Sequence, residues 1–182
     1  MAADGAFCEV LDFSLQELAN HLGGSVVAAG PGPLTVAGHC GTPHIVAAGA
    51  VDTVDVPARA SASALLADRP AHSHNRLIAS ATSAPEPCQR IAHTTAERLA
   101  RAQGPSCLQL PLRGVEQWDW PGEPLQDPEG LQAFVMPMRG GLDPRTRCIE
   151  RDAHINDDAF CDAALQVFSA WVADGLVPLG AP

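Results

Sequence analysis

Apolar positions in this chain repeat with two periods, and they change hands along its length. "AFCEVLDF" (6–13) is an apolar run of strand length. "SLQE" follows as a capping box, with Ser14 accepting from the Glu17 amide and Glu17 reaching back. A helix from there to about Leu22 stops at Gly23-Gly24. "PLTVAGHC" predicts a second short helix and "PHIVAAG" another strand, while the Ala/Ser/Pro-rich stretch 56–73 reads as a loop. A strand lies within "AHSHNRLIASAT". "SAPE" is a second capping box, led by Ser83, for a helix with Cys88, Ile91, Ala92, Thr95 and Leu99 on one face. "SCLQLPL" is a strand. A weaker helix opens near Asp127-Pro128 and is limited by Pro137 and Gly140-Gly141. "RCIERDA" is the last strand, and "NDDAFCDAALQVFSAWVADG" the last helix, with Asn156 as its N-cap.

Strands separated by helices predict an α/β class: a three-layer, Rossmann-like, mostly parallel sheet of about five strands with helices on both faces. No internal repeat or composition break divides the chain, so 1–182 is expected to be a single domain.

Composition narrows the function. The net charge of -10 comes from 21 acids against 11 bases, and every base is arginine. An acidic chain without a basic run is a poor match for nucleic acid, and no apolar stretch approaches the ~18 residues that span a membrane. The opening residues lack the basic start and apolar core of a secretory signal, which sets a cytoplasmic expectation. The six cysteines contain no CxxC pair, so buried structural thiols are expected rather than a zinc or redox site.

In a parallel sheet, ligands bind beyond the carboxyl ends of the strands. Those ends carry Asp12 and Ser14, then Gly49 and Asp52, then Arg113, Gly114 and Glu116, and finally His154, Asn156 and Asp157. The same places also hold the caps and turns that any α/β protein needs, so a structural role stays open for each. "LPLRGVEQWDWPGEPLQDPEG" (110–130) puts two of the three tryptophans, Trp118 and Trp120, in a Pro/Gly-rich loop at that rim. They either wall a crevice, with Arg113 pairing an anion, or plug the sheet's end and meet a neighbouring subunit. His72 and His74 share a strand face without a nearby third ligand, which reads as a surface pair.

Five collinear segments resemble one family. They are "VLDFSLQELANHLGG", "AGPGPLTVAGHCGTPHIVAAGAVDTVDV", "HSHNRLIASATSAPEPCQRIAHTTAERLARAQGP", the 110–130 loop and "HINDDAFCDAAL". The chain resembles the carboxyl-terminal half of an uncharacterised bacterial, fungal and plant family, typified by the ATP-binding amino-terminal domain of the tomato mosaic virus resistance protein. The resemblance implies two Rossmann-like subdomains per chain, a tendency to dimerise, and nucleotide binding by at least the plant representative, which makes ATP and Mg²⁺ the candidate cofactors here. It also implies that the first subdomain and the opening strands of the second are absent here. Asn75-Arg76, Thr82 and Glu116 depart from the family's usual Asn-Pro, arginine and small residue.

Three functions follow as expectations. One is binding of a nucleotide or phosphate ligand by Arg113, the amides around Gly114, Asp52 and the helix starts after Ser14, Ser83 and Asn156, with Asp12 and Gly49 on the same rim and Asn75 as a further candidate whose sheet edge the sequence leaves open. Another is an enzyme acting on a small phosphorylated or carboxylated metabolite, with Asp119, His154 or His74 as acid and base. The last is a non-catalytic fragment acting through a homo-oligomer or through a partner that supplies the missing subdomain.

Overall fold

The computed structural model describes residues 11–12, 14–58 and 68–177. Most of the first apolar run, Cys8 included, lies outside them, as does 59–67. The central layer is a four-stranded parallel sheet in the order β1 (Leu11–Asp12), β2 (His44–Ala47), β6 (Ser106–Pro111), β7 (Thr146–Arg151). Strand β6 is buried throughout, as an inner strand covered on both faces must be.

Helices lie on both faces. On one, α1 (Leu15–Leu22), α3 (Pro85–Ala100) and α4 (Pro128–Gly141) bury Leu15, Leu18, Ile91, Phe134 and Met138 against Val46, Leu108 and Leu110. On the other, α5 (Asp158–Ala173) brings Val167 and Trp171 onto Ile45 and Cys107. The alternation of Cys107, Leu108, Gln109 and Leu110 along β6 sends successive side chains to opposite layers. The short α2 (Thr35–Cys40) lies beside α3. No helix of the described residues is long and apolar enough to cross a membrane.

The sheet differs from the expected one of about five strands. Beyond the parallel four, β3 (Thr53–Pro57), β4 (Ala71–Ser73) and β5 (Ile78–Thr82) form a separate antiparallel sheet in the order β3-β5-β4. Part of the stretch read as a loop is therefore strand. Val54 and Val56 alternate with Asp55, and Val54 is buried with Ala81. Asp55 anchors this sheet to α1. Its carboxylate accepts from Gln16, Asn20 and Ser80 at 3.2, 3.1 and 2.7 Å, and its amide donates to Asn20 Oδ1 at 2.7 Å.

The caps also differ from the sequence reading. Ser14 makes no side-chain cap hydrogen bond, and Glu17 accepts from the Ala29 amide at 2.8 Å instead of reaching back. Helix α3 starts from Ala84 with Pro85 in the first turn, leaving Ser83 Oγ buried without a partner. Proline fixes φ and needs no amide partner, so it sets that start without a side-chain cap. The N-cap of α5 is Asp157 rather than Asn156. Pro137 lies inside α4 instead of limiting it. Among the cysteines, burial pushes the thiols of Cys88 and Cys107 up to about 12 and about 11, so both act as small hydrophobes, whereas Cys40, Cys148 and Cys161 are exposed.

The junction of α1 with β3 is tight at Gly23, where an added Cβ would stand 2.6 Å from Val54 Cγ2 and 2.9 Å from the Ala19 carbonyl oxygen. Gly23→Ala is expected to destabilise the fold by about 1–3 kcal/mol, because both layers must move apart. Urea unfolding measures this, and an unchanged midpoint would contradict the packing of β3 on α1.

Candidate functional site

Strands β6 and β7 continue side by side past their regular ends. The Leu112 amide donates to the Arg151 carbonyl at 2.9 Å, Arg113 to Ala153 at 3.1 Å, and Ile155 to Gly114 at 3.0 Å. Gly114 has φ +155, and a Cβ on it would stand 2.3 Å from the His154 ring and 2.5 Å from Asp119. No other residue fits between these two chains. The turn after β2 joins the same rim. The Ala50 amide donates to the Val115 carbonyl at 2.9 Å, and Gly49 faces Ile155. The loops after β2, β6 and β7 thus converge.

The Trp-Asp-Trp segment closes over this convergence. Asp119 is buried, and one carboxylate oxygen accepts from the Val115 and Glu116 amides at 2.5 and 3.3 Å. The other meets His154 Nε2 at 2.7 Å. His154 Nδ1 accepts from the Asn156 amide at 3.1 Å, so the ring proton sits on Nε2 and is donated to Asp119. Trp120 stacks on the same imidazole, centroids 3.8 Å apart and planes 14° from parallel. Trp118 turns the other way, onto His72 at 4.7 Å and His74 at 5.2 Å. This loop ties the parallel sheet to the antiparallel one. Both nitrogens of His154 are engaged, so the ring holds the loop in place and has no free nitrogen with which to move a substrate proton.

Below the loop the rim is acidic. Asp52 is 1% exposed, and its Oδ1 has no hydrogen-bond partner. Burial raises its carboxyl well above the usual range, and the Asp119 charge adds to that. Its carbonyl receives the Ser83 amide at 2.7 Å. Asp127 caps α4 by accepting from the Gly130 amide at 3.0 Å. Arg69 joins these pieces, donating to the Thr82 and Ser83 carbonyls and to Asp127 at 3.2, 2.6 and 2.8 Å. Burial also raises the Glu116 carboxyl to about 7.

The residues expected to form a site fall into separate places. Arg113 and Gly114 line one cavity of about 290 Å³ with Asp119, Trp120, Gln126 and Asp127. Arg113 is exposed and holds Asp152 through two bonds of 2.7 and 2.8 Å. Asp52 lies behind Gly130, 3.4 Å from where that residue's Cβ would be. Asn75 turns the β4–β5 hairpin, its Oδ1 accepting from the Leu77 and Ile78 amides at 2.7 and 3.0 Å. It shares a second cavity with Trp118 and Asp55. Ser14 lines a third, beside Gly32. Asn156 bonds to Gln117 at 3.3 Å on the α5 side, and Asp12 pairs with Val46 at the end of β1. The sequence marks Asp127 only as a helix start and does not single out Arg69, to which nothing local points.

Two outcomes test this geometry. Asp119→Ala strands three donors at once and is expected to cost roughly 3 kcal/mol or more, read by urea unfolding followed by circular dichroism. Glu116 has a folded-state carboxyl near 7 against an ordinary 4.5, so folding favours its protonated form. The stability it contributes is complete below about 4.5 and lost as pH rises through about 7. Glu116→Gln is therefore expected to gain stability over wild type across that window. A difference that stays flat with pH would remove burial as the cause.

Comparison with known proteins places this arrangement. A profile of the C-terminal domain of an uncharacterised protein family, UPF0261, matches residues 1–172. A UPF0261 protein of Brucella melitensis is 47% identical over 180 residues, covering 99% of this chain and 43% of its own length. A UPF0261 protein of Clostridium tetani is 28% identical over 155 residues, covering 85% of this chain and 38% of its own length. The ToMV resistance protein Tm-1 of Solanum lycopersicum is 27% identical over 167 residues, covering 90% of this chain and 22% of its own length. The chain thus spans less than half the length of these relatives, and it belongs to the UPF0261 family, matching its C-terminal domain.

Proposed function

We propose that this domain binds a nucleotide or a comparable phosphate ester in the cavity over Gly114. One observation carries the reading: the Trp120 indole and the Arg113 guanidinium line the same cavity of about 290 Å³, where the strands of the parallel sheet end. An indole offers a stacking surface to a base, and a guanidinium offers paired donors to a phosphate. Arg113 is already held by Asp152, but exposed pairs are worth only about 0–1 kcal/mol, so a phosphate displaces that partner at little cost.

The acids around the cavity shape what enters. Asp119 is saturated by three donors, and Asp127 is paired with Arg69. Their partners lessen, without removing, the repulsion toward an anion. Among the described residues no group of three or more His, Cys, Asp or Glu side chains could hold a metal ion. Magnesium therefore fits this site only as the counter-ion that arrives with the phosphates. The ATP of the family resemblance is the form of ligand this reading favours. In a full-length relative, the rest of the chain or a second copy would pack against this domain and complete the site.

Calorimetric titration with ATP, with and without Mg²⁺, tests the proposal. Binding is expected in the micromolar to millimolar range, weakened about 10- to 100-fold by Arg113→Ala. No heat at millimolar ligand, or equal affinity in the variant, would overturn it.

A further inference from the structure

A cavity lies between α5 and the parallel sheet. Toward its lower end Ile45 lies beside Cys107, and both pack on Val167 and Trp171 of α5. One pair further up, Ala47 lies beside Gln109 in the register of β2 and β6, and Gln109 lies beside Ile149 of β7. The side chains at these positions point the same way as Cys107. Alanine is small, and it lines this cavity together with residues from the first turns of α5. The result is a groove of about 480 Å³ whose walls include Ala47, Val115, Ile155, Phe160, Ala164 and Leu165. Leu165 is 57% exposed. The groove shares no lining residue with the Trp120 cavity.

Gln109 also lines this groove and is 0% exposed, yet neither its Nε2 nor its Oε1 has a hydrogen-bond partner. The contrast with Asn20 is instructive. Asn20 is equally buried, but its two amide atoms bond to the Asp55 carboxylate and the Asp55 amide. A buried carboxamide loses water and needs a replacement donor and acceptor. Gln109 has neither within the described residues.

We propose that this groove is a second ligand site, taking a flat apolar molecule with a primary amide or lactam edge that pairs head to head with the Gln109 carboxamide. Such an edge supplies one donor and one acceptor side by side, which is what a glutamine amide lacks when both its atoms are unpaired. The apolar walls bury the body of the ligand. An anionic ligand fits badly, because the one ionisable carboxyl in the lining is Glu116 and no arginine lines the groove.

Isotope-labelled protein titrated with benzamide, followed through the methyl resonances of Ala47, Ala164 and Leu165, tests the assignment. Benzamide is expected to shift these methyls saturably at millimolar concentration, about tenfold more tightly than toluene or benzoate. Gln109→Leu is expected to erase the preference for benzamide over toluene and to raise the melting temperature, since it removes an unpaired buried amide. Unshifted methyls, an unchanged preference in Gln109→Leu, or a fall in its melting temperature would overturn the proposal, the last by revealing a structural partner for the amide. Should Gln109→Leu fail to fold, Ala164→Phe closes the groove from α5 and leaves the amide intact. Loss of benzamide binding then supports the site, and unaltered binding overturns it.

Discussion

A single buried carboxylate, that of Asp119, has to satisfy two backbone amides and an imidazole that come from different strand ends. Each donor would otherwise be stranded away from water, so the loop around Asp119 has one geometry in which all are paired. Everything above the sheet follows from it. His154 is fixed in one tautomer, and Trp120 lies flat on that ring. Trp118 is directed toward the hairpin, and Gly114 is the only residue type that leaves room. The antiparallel sheet is held to the rest of the fold partly through this loop and partly through Asp55 of β3, which bonds to Gln16 and Asn20 of α1.

The same rim concentrates negative charge with little to offset it. Arg69 neutralises Asp127, and Arg113 is spent on Asp152 at the surface. Asp52 and Glu116 respond by holding their protons, since burial disfavours their ionised forms. Arg113 is the cationic side chain of the Trp120 cavity, whereas the groove under α5 is lined by Glu116 and by no arginine. The two grooves therefore differ in the charge of their walls although only a few residues separate them.

Elements with long, regular patterns were legible from residues alone. The helical face of Cys88, Ile91, Thr95 and Leu99 and the apolar Cys107, Leu108 and Leu110 of β6 need no tertiary context. The antiparallel sheet was not legible, because β4 has only three residues, two of them exposed, and β3 is followed by an Ala/Ser-rich stretch that resembles a linker. Capping boxes misled in a different way. Ser14 and Ser83 fit the local pattern, but Glu17 had a better partner in Ala29 and Pro85 already fixed the start of α3. At the candidate site, the strand-end rule located Gly114 and Arg113 correctly on one edge. It could not show that Asn156, Asn75 and Ser14 open onto other cavities, because that depends on which way each loop folds back. Gln109 gave no signal at all, since a polar residue within a strand looks like an ordinary solvent-facing one.

The two borders of the parallel sheet are unlike each other. Strand β7 presents Arg147, Cys148 and Glu150 to solvent, and Arg139 of α4 grips Glu150 across it at 2.7 and 2.8 Å. Charged side chains on a border strand discourage further pairing. At the opposite border, among the described residues, β1 pairs through Leu11 and Asp12 with β2. Pairing of a further strand with this sheet is therefore disfavoured along β7, which stands as its guarded outer margin.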